Sequence, residues 1–211
     1  MHRSRTRWLV ILLASCALLA GSLGSASVAE ASGWKQRRRQ RPRRRLSTRA
    51  RRDRAFMCMA YKVAAETSQD PNTQVGAVIV RGGKVILSGA NHLPKGVQVT
   101  EQRMQRPDKY SFIEHAERNA IFSGAKRGVA IGGSTIYVPW WPCNDCARAI
   151  VQSGVKEVVM HKQCIAQMSD RWIETINRSK AILGEGGVKV RQISGKLDAK
   201  PILFSGKIFQ P

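Results

Sequence analysis

Three potential metal ligands and one carboxylate stand out in this sequence. His115 is followed two residues later by Glu117, while Cys143 and Cys146 come further along the chain, directly after Pro142. One imidazole and two thiolates give a tetrahedral Zn²⁺ three protein ligands and leave its fourth position for water, which is typical of a catalytic zinc. A carboxylate beside such a site is suited to moving protons between that water and a substrate.

Each half of this pattern also has a simpler interpretation. A lone Cys-x-x-Cys pair occurs in redox sites, zinc ribbons and cores, and a lone His is more often a hydrogen-bonded residue than a ligand. A structural zinc needs a fourth Cys or His, but the spare candidates show no second paired spacing; they are Cys16, Cys58, Cys164, His2, His92 and His161. His-x-Glu followed by Pro-Cys-x-x-Cys is the signature of zinc nucleobase deaminases, so the sequence predicts a hydrolytic zinc site.

Length and charge indicate one catalytic domain with a basic extension. A chain of 211 residues is long enough for one well-buried α/β domain and an extension. Residues 1–54 contribute +13 to the net charge of +22. The Arg-dense run 34–54 has too little apolar surface to form a core, so we expect residues 1–52 to be a disordered basic extension. The deaminase domain is predicted at 53–193 and a C-terminal tail at 194–211.

The first 33 residues have the order of a secretory signal. Arg3, Arg5 and Arg7 precede an apolar run from Trp8 to about Leu19, and small residues follow. About a dozen apolar residues are too few for a stable membrane span. Export would expose the thiolate pair to oxidation in a compartment where disulfides form, so we expect a cytoplasmic protein. The alternatives are an organellar transit peptide, an exported protein or a start codon assigned too early.

The hydrophobic pattern predicts a mixed α/β fold. Turn residues separate helical and strand-like segments in the order α-β-β-α-β-α-β-α-β. The predicted helices comprise 54–66, one with His115 and Glu117 near its start, one with Pro142 in its first turn, and 169–183; the predicted strands are 74–80, 85–90, 134–138, 155–160 and 188–193. We therefore expect a mixed five-stranded sheet with an antiparallel first hairpin and helices on both faces. Apolar pairs at 203–204 and 208–209 predict that the tail packs onto this domain.

The chain resembles the deoxycytidylate (dCMP) deaminase family of the cytidine deaminase superfamily over roughly residues 53–193. Two segments besides the zinc motif carry the resemblance, Asp70-Pro71-x-Thr73-Gln74-Val75-Gly76-Ala77 and Gly89-x-Asn91-x-x-Pro94-x-Gly96. The tRNA adenosine deaminases usually have Glu directly before the Pro-Cys, where this chain has Trp141. The resemblance implies a three-layer α/β/α fold of the cytidine deaminase type.

The resemblance also implies an activity, namely zinc-dependent hydrolysis of dCMP to dUMP and ammonia. The zinc ligands are then His115, Cys143 and Cys146, with Glu117 as the proton shuttle. The substrate is a small nucleotide, bound through Asn91 at the sugar, the backbone around Ala116 at the base, and Tyr137. Asn91 has an alternative role as an ordinary turn residue. We further expect a homo-oligomer.

Phosphate recognition and regulation are less defined by the sequence. Arg103, Arg106 and Lys109 are candidates for a 5′-phosphate site, or they form a solvated charged face. Allosteric family members have a His/Asp-rich stretch after the fourth strand, but Lys162–Arg171 lacks it, so dCTP control is not expected. The alternative function is deamination of cytosine or adenine in RNA or single-stranded DNA, with the basic N-terminal arm holding the nucleic acid. We favour the free nucleotide because that arm lies outside the catalytic domain.

Overall fold

The computed structural model describes residues 46–211, and the signal-like segment and most of the Arg-dense run lie outside this range. The described chain forms, in order, α1 (Thr48–Thr67), β1 (Gly76–Arg81), β2 (Lys84–Ala90), α2 (Glu101–Met104), α3 (Lys109–Phe112), α4 (Ala116–Arg127), β3 (Thr135–Tyr137), α5 (Asn144–Gln152), β4 (Glu157–His161), α6 (Lys162–Ile165), a 3₁₀ turn (Asp170–Trp172), α7 (Ile173–Glu185), β5 (Lys189–Ile193), β6 (Ile202–Phe204) and β7 (Lys207–Phe209). None of the helices in this part of the chain is long and apolar enough to cross a membrane.

Five strands form one mixed sheet in the order β2-β1-β3-β4-β5. Strand β1 pairs antiparallel with both β2 and β3. The pairs β3–β4 and β4–β5 are parallel. The predicted sheet and its antiparallel first hairpin are therefore confirmed.

Helices cover both faces of this sheet because alternate strand residues point in opposite directions. Ile79 belongs to a core cluster that includes side chains of α4, α5 and α7. Its neighbour Val80 belongs to a second cluster with side chains of α1 and the tail. The result is the expected α/β/α arrangement, with the helices that carry the zinc motif all on one face.

Two glycines let one helix on each face approach the sheet closely. A Cβ at Gly89 of β2 would lie 2.4 Å from the backbone nitrogen of Ala120 in α4. A Cβ at Gly76 of β1 would lie 2.4 Å from the carbonyl oxygen of Ala60 in α1. Both distances are shorter than real Cβ contacts, so these positions require glycine. Gly89 thereby helps to set the depth of the helix that follows His115.

Several predicted helix boundaries differ from the structure. Helix α1 begins at Thr48, because Ser47 caps it by accepting a hydrogen bond from the Ala50 nitrogen at 3.2 Å. The domain boundary predicted at residue 53 therefore falls inside α1. Pro142 precedes α5 instead of lying in its first turn, since Cys143 is the N-cap. The helix predicted at 169–183 begins as the 3₁₀ turn, and α7 continues to Glu185.

The C-terminal tail packs against the domain. Leu197, Ile202 and Phe204 are buried in the cluster that includes α1. The Gln74 nitrogen, just before β1, donates a hydrogen bond of 2.8 Å to the Leu203 carbonyl. The β6–β7 hairpin is thereby joined to the segment that enters the central sheet.

Candidate active site

Three potential metal ligands converge at the start of two helices. His115 is the N-cap of α4, and Cys143 and Cys146 lie at the N-terminus of α5. The Nδ1 atom of His115 is 3.5 Å from the Cys143 sulfur and 3.6 Å from the Cys146 sulfur. All three potential ligand atoms lie within 4.8 Å of one another.

This spacing fits a tetrahedral zinc. Zn–S bonds of about 2.3 Å and Zn–N bonds of about 2.0 Å place the nitrogen and sulfur ligands of a tetrahedral site roughly 3.6 Å apart. The two N···S distances agree with that value. Among the described residues, the group whose ligand atoms could hold one metal ion together comprises these three side chains, so the donor set is the open one of a catalytic zinc.

The local structure favours ionisation of one ligand in particular. Hydrogen bonding with Cys146 lowers the pKa of Cys143 to about 4, and the contact with His115 acts in the same direction against the effect of burial. The helix dipole at the α5 N-terminus adds to this effect. Burial raises the pKa of Cys146 well above its ordinary value. Ionisation of the second thiol is therefore coupled to metal binding.

Glu117 lies beside the ligands in the first turn of α4. Its side chain lines the same cavity as His115 and Cys143, and the residue is only 4 % exposed. Burial raises the pKa of the Glu117 carboxyl, although the neighbouring His115 opposes the shift. A carboxyl with a raised pKa accepts and releases protons more readily near neutral pH. This placement suits the proton-shuttle role predicted from the sequence.

Asn91 follows β2 and links three segments around the site. Its Oδ1 accepts a hydrogen bond of 3.0 Å from the Ala116 backbone N–H, and its Nδ2 donates one of 3.1 Å to the Thr73 carbonyl. Asn91 also lines the cavity. The Ala116 N–H thereby holds Asn91 in place, and the contact of the backbone around Ala116 with the base stays a prediction. Asn91 keeps one amide hydrogen and further acceptor capacity for a ligand.

Aromatic side chains form one wall of the cavity. Trp140 and Trp141 follow β3, and Trp172 ends the 3₁₀ turn. The rings of Trp140 and Trp172 meet edge to face with centroids 5.3 Å apart. The Trp141 indole nitrogen donates a hydrogen bond of 3.2 Å to the Ser179 hydroxyl of α7. These contacts connect the segment that leads into α5 to the region after β4.

The basic residues predicted to bind phosphate are in three different environments. Lys109 is 2 % exposed and its ammonium pairs with Asp70 at 2.7 Å. Arg103 packs over the Phe112 ring and donates to the Gln98 carbonyl. Arg106 lines the cavity with its guanidinium outside every ion pair formed by the described residues. Of the three candidates, Arg106 is the one that remains available to a ligand.

Arg171 and Ser205 are among the cavity residues that could not be identified from the sequence. Arg171 lies in the 3₁₀ turn and its guanidinium is 5.5 Å from the Trp172 ring centroid. Ser205 lies in the tail hairpin. Both line the cavity although they are far from the zinc motif in sequence. The only sequence signal for Arg171 was its place in the atypical segment 162–171.

Tyr137 does not line the cavity, which corrects its predicted substrate contact. Its hydroxyl donates a hydrogen bond of 2.7 Å to Asp53 of α1. Its ring packs against Phe56, with centroids 5.2 Å apart. Burial and this hydrogen bond raise the pKa of Tyr137. Its side chain faces the α1 side of the sheet, opposite the zinc ligands, and therefore has a structural role.

Comparison with known proteins identifies the family. Residues 50–162 match the family model described as the cytidine and deoxycytidylate deaminase zinc-binding region. The chain belongs to this deaminase family. It is 34 % identical over 152 residues to the deoxycytidylate deaminase of Homo sapiens, covering 67 % of this chain and 79 % of the human protein. It is 38 % identical over 135 residues to an uncharacterized deaminase of Aliivibrio fischeri, covering 64 % of this chain and 88 % of that protein.

A solved deaminase structure has the same fold. The dCMP deaminase from the cyanophage S-TIM5, in complex with dCMP and dUMP, superposes with a TM-score of 0.53 at 27 % identity. The match covers 71 % of this chain and all of the phage chain. The family confirms a zinc-dependent deaminase. Arg171, Trp172 and Ser205 lie beyond the segment that the family model matches.

Proposed function

We propose that this enzyme hydrolyses dCMP to dUMP and ammonia. The observation that carries the proposal is one cavity lined by two of the potential zinc ligands, His115 and Cys143, by the buried carboxyl of Glu117, and by the cationic side chains of Arg106 and Arg171. Deoxycytidylate deaminases are prominent among the relatives, and the phage structure contains both dCMP and dUMP. A nucleotide with a 5′-phosphate matches the charge of this cavity.

His115, Cys143 and Cys146 would hold the zinc. Zinc in this site would lower the pKa of a coordinated water and so supply a nucleophile at neutral pH. Glu117 would take a proton from the attacking water and deliver it to N3 of cytosine as the water oxygen bonds to C4. The same carboxyl then moves a proton to the departing amino group, which leaves as ammonia. One water is consumed and the C4–N bond is replaced by a carbonyl, so the atoms balance.

Asn91 and the two arginines would orient the nucleotide. We propose that the free amide hydrogen of Asn91 contacts the sugar, since its other groups hold Thr73 and Ala116. Arg106 and Arg171 would bind the 5′-phosphate. Lys109 would act indirectly, because its ammonium is already engaged by Asp70 and Asn72.

Two further parts of the proposal concern assembly and compartment. We propose a homo-oligomer, supported by large apolar side chains exposed on the helices, such as Met59 and Phe122. Light scattering after gel filtration tests this. We also propose a cytoplasmic location, because all four cysteines of the described chain are free and the zinc site needs its thiols reduced.

The substrate is tested by comparing kcat/KM of the zinc-loaded full chain for dCMP, CMP, deoxycytidine and single-stranded DNA. Loss of cytosine absorbance reports the reaction. We expect the highest kcat/KM for dCMP, and Arg106→Ala or Arg171→Ala should reduce it for dCMP more than for deoxycytidine. Equal values for dCMP and deoxycytidine would contradict phosphate recognition. A preference for single-stranded DNA would support the nucleic-acid alternative.

A further inference from the structure

The tail hairpin has an unusual residue at its turn. Ser205 and Gly206 connect β6 to β7, and their φ angles are +53° and +77°. Positive φ at both central residues defines a type I′ turn, in which Asn-Gly, Asp-Gly and Gly-Gly are the favoured pairs. Ser205 is the one non-glycine residue with positive φ in the described chain. Ser205 therefore has a side chain at a position where the backbone conformation favours glycine.

The β1–β2 hairpin of the five-stranded sheet provides an internal comparison. Its two-residue turn is Gly82-Gly83, with φ angles of +58° and +75°. Residue 82 therefore has nearly the same φ angle as Ser205, but residue 82 is a glycine and has no side chain. The Gly82-Gly83 turn does not line the cavity, whereas Ser205 does. Backbone strain retained at a cavity residue points to a function for its side chain.

Hydrogen bonds hold the Ser205 turn against the cavity wall. The Ser205 nitrogen donates to the Thr73 hydroxyl at 3.3 Å, and the Gly206 nitrogen donates to the Asn72 carbonyl at 2.8 Å. Phe204 packs edge to face on Trp140, with ring centroids 5.1 Å apart. The turn is therefore positioned by the segment before β1 and by the aromatic wall, and it does not depend on a ligand for its place.

The surroundings of Ser205 favour an anion. Thr73, its hydrogen-bond partner, donates its backbone N–H to Asp70, and Asp70 is neutralised by Lys109. Arg106 and Arg171 line the same cavity. The described residues supply no hydrogen-bond partner for the Ser205 hydroxyl itself. A free hydroxyl in a cavity that two arginines also line is a donor suited to a phosphate oxygen.

We propose that Ser205 is a specificity-determining residue whose hydroxyl donates a hydrogen bond to the 5′-phosphate of the nucleotide. This inference rests on the proposed function, because it assumes a nucleoside monophosphate in the cavity. It assigns part of substrate recognition to the tail, outside the segment 50–162 that matches the family model.

Two substitutions separate the role of the hydroxyl from that of the turn. Ser205→Gly and Ser205→Ala both remove the hydroxyl, but glycine relieves the positive-φ strain and alanine does not. The experiment measures binding of dUMP and deoxyuridine to the zinc-loaded full chain by calorimetry, together with the Tm of each variant. We expect both variants to bind dUMP about tenfold more weakly and to bind deoxyuridine as the wild type does. The glycine variant should have a higher Tm than the alanine variant.

The possible results lead to different conclusions. Unchanged dUMP affinity in both variants would overturn the inference. A dUMP affinity that falls only in the variant with the lower Tm would also overturn it, because that result indicates a purely structural role. Equal weakening for dUMP and deoxyuridine would overturn the contact with phosphate. A wild-type chain that neither binds dUMP nor converts dCMP would instead contradict the proposed function, and the inference would fall with it. Conversion of dCMP by the wild type with unchanged variants would overturn the role of Ser205 alone.

Discussion

The side chain of Asn91 accepts a hydrogen bond of 3.0 Å from the backbone N–H of Ala116, the first residue of α4. Ala116 lies between His115 and Glu117. The same amide donates to Thr73 at the entrance of β1. Asn91 therefore ties the start of α4 to the sheet, in addition to lining the cavity.

Replacing Asn91 should affect both stability and the metal site. We expect Asn91→Ala to lower the free energy of unfolding by about 2 kcal/mol, because it leaves the buried Ala116 N–H without a partner. Denaturant unfolding measures this, and zinc content should fall because the α4 N-terminus loses its anchor. Asn177→Ala, at an exposed position of α7, is the control and should change stability by less than about 0.5 kcal/mol. An equal, small effect of both substitutions would contradict the anchoring role.

Removing a zinc ligand should lower metal content and thermal stability together. We expect Cys143→Ser to lose most of its zinc and to melt below the wild type, since metal binding stabilises the fold through its ligands. Metal analysis and thermal unfolding with and without a chelator test this. Cys58→Ser is the matched control, because this half-buried thiol of α1 is outside the cluster. If the chelated wild type has the same Tm as the zinc form, the metal contributes nothing to stability.

The ion pairs of Arg191 should make stability depend on pH. The Arg191 guanidinium bonds Asp53 at 2.7 Å and Glu157 at 2.7 Å. Burial alone would raise the pKa of Asp53, but hydrogen bonds from Arg191 and Tyr137 outweigh it and lower that pKa. The pKa of Glu157 is also lowered, because Arg191 outweighs burial there. Both carboxylates therefore stabilise the fold at neutral pH.

Asp53→Asn should reduce this dependence. The unfolded chain takes up protons first as pH falls, so the stabilisation is complete above the ordinary carboxyl range and is lost below about pH 4. We expect the variant to be about 2 kcal/mol less stable at pH 7, with the difference shrinking on acidification below about pH 4. Urea unfolding of both proteins across pH measures it. Asp198→Asn, at an exposed position, is the control. A constant difference at every pH would contradict the ionic origin.

We expect the first turn of α1 to contribute to the stability of the domain. A chain that begins at Leu46 keeps the Ser47 cap and the ion pair of 3.0 Å between Arg49 and Glu157. A chain that begins at Asp53 loses both and the first turn of α1. We expect the chain that begins at Leu46 to have a higher Tm than the chain that begins at Asp53. Its kcat/KM for dCMP should equal that of the full chain, because every described cavity residue lies within 70–205. Equal melting temperatures would show that residues 46–52 do not stabilise the domain.

The features predictable from the sequence are those that local spacing determines. The zinc ligands lie at the starts of two helices, as predicted from their spacing. The strands β1 and β2 were predicted from two apolar runs separated by Gly82-Gly83. The substrate contact of Tyr137 was implied by the family resemblance alone, which does not show that its side chain lies on the α1 side of the sheet.

Long-range contacts explain what the sequence did not show. Lys109 was a phosphate candidate until its pairing with Asp70, 39 residues earlier, became visible. Arg171 and Ser205 reach the cavity only because β4 and the tail hairpin return to it. Such contacts cannot be predicted from periodicity or motifs, because they depend on the order of strands in the sheet and on the packing of the tail.

We propose that Glu117 transfers the protons of a zinc-dependent deamination of dCMP. The most direct measurement compares wild type and Glu117→Gln, both loaded with zinc, for conversion of dCMP to dUMP, with zinc content and dUMP affinity determined on the same samples. We predict equal zinc and similar dUMP binding, but a kcat at least about 1,000-fold lower in the variant, because the amide cannot carry a proton to N3. A variant with full zinc that retains turnover within about tenfold of the wild type would contradict this role.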